Sequence, residues 1–164
     1  MYNVGDKIFY PRHGAGIIKA IEQIEIDGTE REYYVIHIPI RKMNVKIPAK
    51  RIEKLDIRPV VSKAKLKKLF HPERPVKTLK DVNTWSERLK FYTEKVNTGD
   101  TVATFDVVKN LLERSKEKPL NSSERDILNN ARMLLISEVA MIEDISENEA
   151  EQLIKDFISL DQLA

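Results

Sequence analysis

Cysteine is absent from the 164 residues, which excludes disulfides and thiolate metal sites. Histidine is scarce: His13, His37 and His71 make up the full set, and no two of them have the spacing of helical metal ligands. No run approaches the roughly 18 apolar residues of a membrane span. The opening Met1-Tyr2-Asn3-Val4-Gly5-Asp6 has neither a basic nor an apolar stretch, so no signal peptide is expected. These absences predict a soluble cytoplasmic protein. Catalytic signatures are missing too. Gly14-Ala15-Gly16 is a lone glycine pair with no following helix to receive a phosphate, and reads as a loop hinge. There is no Gly-Lys-Ser/Thr and no nucleophile in a recognisable setting. Glu143, Asp144, Glu147 and Glu149 gather where two helices are expected to meet, and the helix dipole favours acidic residues near an N-terminus without any metal. No catalytic residue, metal or cofactor is expected.

What is present is charge, unevenly spread. The chain is 41% hydrophobic and 33% charged, with a net charge of +2. Residues 1–55 carry ten Lys/Arg against seven Asp/Glu, residues 56–95 eleven against five, and residues 96–164 seven against fourteen. A basic middle beside an acidic tail suits a face that meets a polyanion, although such runs also occur as ordinary solvated faces.

The first 55 residues read as β structure: a strand over 4–10 stopped by Pro11, and a β-branched run over 17–26 with Ile18, Ala20, Ile24 and Ile26 at a period of two. Asp27-Gly28 then supplies a tight hairpin turn, followed by a return strand over 32–38 and a last strand over 43–47 ended by Pro48. So many short strands predict a small closed barrel of the SH3 or Tudor kind, because closure removes exposed edges. After residue 60 the period becomes helical. A short basic helix over 63–70 is capped by Ser62 and stopped by Pro72 and Pro75. A second begins at Asn83 or Thr84, with Thr84 and Glu87 spaced as a capping box, and ends at Asn97-Thr98-Gly99. A third over 102–116 buries Phe105, Val108, Leu111 and Leu112. A fourth, capped by Asn121-x-x-Glu124, carries the stripe Ile127, Ala131, Leu134, Leu135, Val139 and Ile142. A fifth opens with Ser146-x-x-Glu149 and presents Leu153, Ile154, Phe157 and Leu160. The predicted class is α+β in two domains: a β module over 1–54, a linker over 55–61 and a compact five-helix module over 62–164.

The single tryptophan, Trp85, falls in the first turn of the second helix on one stripe with Leu89, Tyr92 and Val96. It either caps that core stripe or stands out as an aromatic wedge. Arg88 and Lys90 follow it and Lys77 and Lys80 precede it; an aromatic wedge ringed by phosphate-binding cations is how minor-groove proteins unstack a base step. Nothing nearby resembles a helix that reads base edges, so sequence preference should be weak. In the β module Arg41, Lys42, Lys46, Lys50 and Arg51 surround the last strand. They either protect an edge strand or fix the register of a partner strand added to it.

Val4-Gly5-Asp6, Tyr10-Pro11-x-His13-Gly14, Ile47-Pro48-Ala49, Trp85-Ser86 and Leu120-Asn121-Ser122-Ser123-Glu124, in that order along the chain, resemble the CarD/CdnL family of bacterial transcription regulators. The N-terminal part is also similar to the polymerase-interacting domain of the transcription-repair coupling factor. The resemblance implies a Tudor-like domain docking on the β1 lobe of the RNA polymerase β subunit. It implies a helical domain contacting promoter DNA, in the minor groove at the upstream edge of the bubble, and stabilising the open complex. It places Trp85 as the wedge, Arg88, Lys90 and Arg125 as DNA contacts, and Lys46, flanked by Arg41 and Lys42, as a polymerase contact. Glu87 stands where some relatives carry a basic residue, and Ile24 where some carry an arginine on the polymerase-facing side; weaker contacts than theirs are implied. One rival class is a protein-only adaptor, a peptide-binding barrel joined to a partner-binding helical bundle; a second, an enzyme, is disfavoured because no catalytic constellation is visible.

Overall fold

The computed structural model describes residues 1–71, 74 and 84–163. Lys77 and Lys80, expected ahead of the tryptophan, lie outside the described residues, as do Pro72, Pro75 and Asn83. Antiparallel strands come first. The long hairpin forms where the turn signal stands: β2 (Gly14–Ile26) passes through Asp27 and Gly28, both at positive φ, into β3 (Thr29–Ile38). β1 (Lys7–Tyr10) pairs with the near half of β2, β4 (Met43–Pro48) with β3, and β5 (Arg58–Pro59) with β1. The order is β4-β3-β2-β1-β5, and among the described residues the ladder ends at β4 and at β5. The segment expected as a linker therefore contains a strand, with Arg58 opposite Phe9 and Pro59 opposite Ile8.

Gly14-Ala15-Gly16 is not a hinge. All three residues are buried in β2, and glycine is required for closeness rather than for mobility. A Cβ on Gly16 would stand 2.8 Å from the His37 carbonyl oxygen, and Gly14 has φ +117° with Ser137 Oγ 3.0 Å from where its Cβ would be. Farther along β2 the register slips between Ile18 and Ala20, and the bulge at Lys19 breaks the expected alternation. Beyond it the hairpin outruns its neighbours: β1 reaches only Ile17, β4 only Tyr33. Ile21 and Ile26 consequently remain 40% and 44% exposed. The β core is Ile8, Ile18, Tyr34, Ile36, Ile38 and Ile47, closed below by Ile52 and Ile57.

Five helices follow among the described residues, and local chemistry starts each one. In α1 (Lys63–Leu69) Ser62 accepts from the Lys65 amide, and Leu66 and Leu69 face inward. In α2 (Trp85–Asn97) Thr84 accepts from the Glu87 amide; in α3 (Thr101–Glu117) Asp100 accepts from Val102. α4 (Ser122–Glu143) carries the full capping box of Asn121 and Glu124, an arrangement worth about 1 kcal/mol or more to a helix. α5 (Glu147–Leu163) begins after Ser146, whose hydroxyl accepts from Glu149. Ala150, Ile154 and Ile158 form its buried stripe with Phe157 half-buried, whereas Leu153, expected there, is 40% exposed.

The β module does not stand apart from the helices. Phe9 and Ala15 belong to the same core as Val96, Phe105, Leu134 and Val139, and α4 lies along β1 and β2. The turn before β2 is stitched as well. The Tyr10 ring packs at a tilt on the His13 ring, centroids 4.3 Å apart, while Arg41 donates to the Arg12 and His13 carbonyl oxygens, both at 2.9 Å. Burial, then the charges of Arg41 and Arg12, push the His13 pKa below its ordinary 6.5. A histidine that binds its proton less readily folded than unfolded favours the unfolded chain in acid. Its contribution is neutral above 6.5 and becomes a penalty as pH falls through that value toward the depressed folded one. Melting temperature should therefore decline across that window, and His13→Gln should flatten the decline. An equal decline in the variant would assign the effect to other groups.

Candidate nucleic-acid interface

One end of the helical module gathers three elements: the first turns of α2, the end of α3 and the start of α4. Tyr92 is the pivot. It is buried, and burial pushes its phenol pKa up against the opposing pull of Arg114, with Glu124 and Arg88 also within electrostatic reach. Arg114 Nε donates to Glu124 Oε2 at 2.9 Å, so the carboxylate that closes the α4 capping box also ties α3 to α4. At the same terminus Arg125 donates to the Leu120 carbonyl at 2.9 Å and remains exposed.

Trp85 opens the stripe that ends in this core. Tyr92 and Val96 are each 3% exposed, Leu89 is half-buried, and Trp85 is 49% exposed. The stripe runs out of the protein, and its largest aromatic overhangs the edge. Of the two readings of Trp85, core cap or protruding aromatic, this exposure fits the second. Arg88, one turn on, is half-buried, and its Nε is buried with no hydrogen-bond partner among the described residues. Its inner nitrogen is thus withdrawn from solvent, while the side chain as a whole stays half-exposed. Lys90 is exposed. Trp85, Arg88 and Arg125 therefore belong to one end of the molecule, joined through the Tyr92–Glu124–Arg114 cluster.

The second candidate surface is on the sheet. β4 is a terminal strand paired on one side only, so its other backbone edge is unpaired within the described residues. Met43, Val45 and Ile47 turn inward while Asn44 and Lys46 turn outward. Lys46 is exposed and reaches Glu22 at 3.1 Å, a solvent-screened pair worth about 0–1 kcal/mol. Arg41 spends donors on the Arg12–His13 turn, and Lys42 sits exposed at φ +52° behind the 3-10 turn Pro39–Arg41. Lys50 and Arg51 are exposed beyond the strand. Ile24 is half-buried on β2, on the overhanging part of the hairpin.

Sequence reasoning missed the joint between the two modules. Arg58 on β5 meets Glu138 on α4 with both terminal nitrogens, at 2.8 and 3.0 Å. It also donates to the Gly99 carbonyl at 2.7 and 3.1 Å and to Thr101 Oγ1 at 2.9 Å, and its guanidinium lies 4.5 Å from the centre of the Phe9 ring. Glu138, 1% exposed, additionally accepts from the Thr101 hydroxyl at 2.7 Å and the Val61 amide at 3.1 Å. The signal was available. Glu138 falls within the apolar stripe of α4, four residues from both Leu134 and Ile142, and a carboxylate at such a position demands a cation.

Comparison with known families agrees with this layout. Residues 2–61 match the CarD-like/TRCF RID domain, and residues 75–155 match the CarD C-terminal domain. A relative in Bacillus subtilis (strain 168), described as "Putative transcription factor YdeB", is 40% identical over 149 residues, covering 91% of this chain and 97% of its own length. With both domains matched in order and a near full-length relative at that identity, the chain belongs to the CarD/CdnL family.

Proposed function

We propose that this protein regulates transcription initiation by bridging RNA polymerase and promoter DNA. Its β module docks on the polymerase β subunit, at the β1 lobe, through the unpaired edge of β4 with Lys46, Arg41 and Lys42 alongside. Its helical module presents Trp85 to the minor groove at the upstream edge of the bubble, with Arg88, Lys90 and Arg125 on the phosphates. The observation that carries this reading is the 49% exposure of the chain's one tryptophan, at the open end of an otherwise buried stripe. An aromatic so placed meets a partner with its face and edge, and unstacking a base step trades energies of about a few kcal/mol.

Each contact is weak alone. Three cations on phosphate give a salt slope of about −3, and an added strand gains affinity from main-chain hydrogen bonds along a short edge, with side chains fixing its register. Docking on polymerase raises the local concentration of the helical module at the fork and makes a weak wedge effective. The action is at the nucleoid, wherever polymerase is.

The test is open-complex lifetime on a promoter fragment with cognate polymerase, with and without the protein. A longer lifetime with the protein present is expected. Equal lifetimes despite demonstrated polymerase binding would favour the adaptor reading, in which the helical module meets another protein. On the β side, Lys46→Glu should weaken binding to the isolated β lobe by about tenfold while leaving the fold intact, since the Lys46–Glu22 pair is solvent-screened. Unaltered affinity in a titration would remove Lys46 from the interface.

A further inference from the structure

We propose that Arg58 is a positioning residue: through its clamp on Glu138, Gly99 and Thr101 it fixes the angle between the sheet and the helical module, so that a polymerase-docked β4 edge delivers Trp85 to one place. The inference rests on the function proposed above and adds a group that touches neither polymerase nor DNA.

Arg58 belongs to β5, the last strand of the sheet, at the point where the chain leaves the β module. Its donors go to three separate places in the helical module: the α2–α3 turn at Gly99, the first residue of α3 at Thr101, and the C-terminal half of α4 at Glu138. A planar fork that satisfies three elements at once tolerates little rotation between them, unlike a single ammonium. The Glu138 carboxylate in turn holds the Val61 amide, so the chain entering α1 is tied to the same point.

Two lesser ties share the axis. Lys7 Nζ donates to the Met141 carbonyl at 2.8 Å and Asp144 Oδ1 at 2.7 Å, and the Ala15 amide donates to Ser137 Oγ at 3.0 Å. Pro11 packs so closely on Gly99 that a Cβ there would lie 2.8 Å from the proline ring. All these ties reach the C-terminal half of α4 or the α2–α3 turn. The Trp85 end of α2 and the Arg125 end of α4 project the other way. α4 is therefore a lever, gripped at one end by the sheet and carrying the candidate DNA contacts at the other. A small rotation at the grip becomes a larger displacement at the tip, because the helix from Glu138 back to Arg125 spans about 20 Å.

The rigidity matters because the mechanism is tethered. The effective concentration of a tethered group is highest when the linkage holds it at the site, and falls as its orientations spread. Loosening the grip should lower wedge occupancy without altering either contact surface.

Two measurements on the full chain test this, with Arg58→Lys, which keeps a charge for Glu138 and should fold, and Arg58→Gln. First, Glu53→Cys and Asn130→Cys place one spin label on each module; the chain has no native cysteine to compete. The parent protein should give one narrow distance distribution and both Arg58 variants a broad one. A variant distribution as narrow as the parent's would overturn the proposal. Second, at saturating protein, Arg58→Lys should lose most of the extension of open-complex lifetime, about fivefold or more, while β-lobe affinity stays within about twofold. Full extension by the variant, or a parallel loss of β-lobe affinity, would overturn it as well. If the parent protein itself fails to extend lifetime, the wedge reading falls, and the distance distributions still decide whether Arg58 sets the angle.

Discussion

Trp85→Ala should abolish most of the protein's effect on open-complex lifetime and leave its affinity for polymerase unchanged. The two readouts separate because Trp85 is at the far end of α2 from the joint with the sheet, on no surface shared with β4. The side chain is 49% exposed, so its removal takes little from the core, and the melting temperature should move by no more than a degree or two. Against DNA the same truncation removes the whole aromatic face. A loss of ~1.4 kcal/mol from the open state already shortens its relative lifetime about tenfold, and wedge insertion involves energies of that order or larger. Trp85→Phe should retain part of the effect, since a smaller ring still fills part of the groove. The measurement is dissociation of preformed open complexes after a competitor challenge. Lifetimes equal to those of the parent protein in the Trp85→Ala reaction would remove the wedge and leave the cations as sole DNA contacts.

Glu138→Ala should destabilise the fold strongly. Glu138 is 1% exposed and serves Arg58, Thr101 and the Val61 amide, so its loss strands three donors near a buried position. Breaking a buried ion pair by removing one partner costs about 3–5 kcal/mol. Here the lower end applies, because the Arg58 side chain is 27% exposed and keeps some water. For a chain of this size that lowers the melting temperature by roughly 6–12 °C. Arg58→Met combined with Glu138→Leu should recover much of the loss, since apolar residues of similar volume leave no uncompensated charge. Thermal unfolding by circular dichroism reads both. A Glu138→Ala protein as stable as the parent would mean that the pair contributes nothing net to the fold.

The parts of this fold that were legible in the sequence follow rules of short range. Asp27-Gly28 turned the hairpin where expected because only a few backbone conformations accept two consecutive positive φ angles. The α4 stripe and its Asn121–Glu124 box read directly, since a helical period and a cap depend on residues three or four apart. The same local logic misread Gly14-Ala15-Gly16, where glycine answers to the His37 carbonyl and to Ser137, residues distant in sequence. Ile26 kept its β-branched character but not its burial, because that depends on how far β1 and β4 extend beside the hairpin. Leu153 was misplaced on α5 for a similar reason: Ala150, Ile154 and Ile158 face α4, and the facing helix chose the stripe.

For the candidate site, the sequence by itself determined the inventory: one tryptophan, its neighbouring cations, a basic last strand, and the motifs that mark the family. It also determined where each helix and turn begins, because caps, turn residues and periodicity act through the nearest backbone groups. Only the tertiary structure decided that Trp85 protrudes, since the stripe of Trp85, Leu89, Tyr92 and Val96 has the same spacing whether its first residue is covered or not. Only the tertiary structure brought Arg58 to Glu138, eighty residues apart in sequence, and made one lever of two modules. The physical reason is common to both. Exposure and ion pairing depend on which surfaces meet, and a hydrophobic pattern states that a face must be buried without naming what buries it.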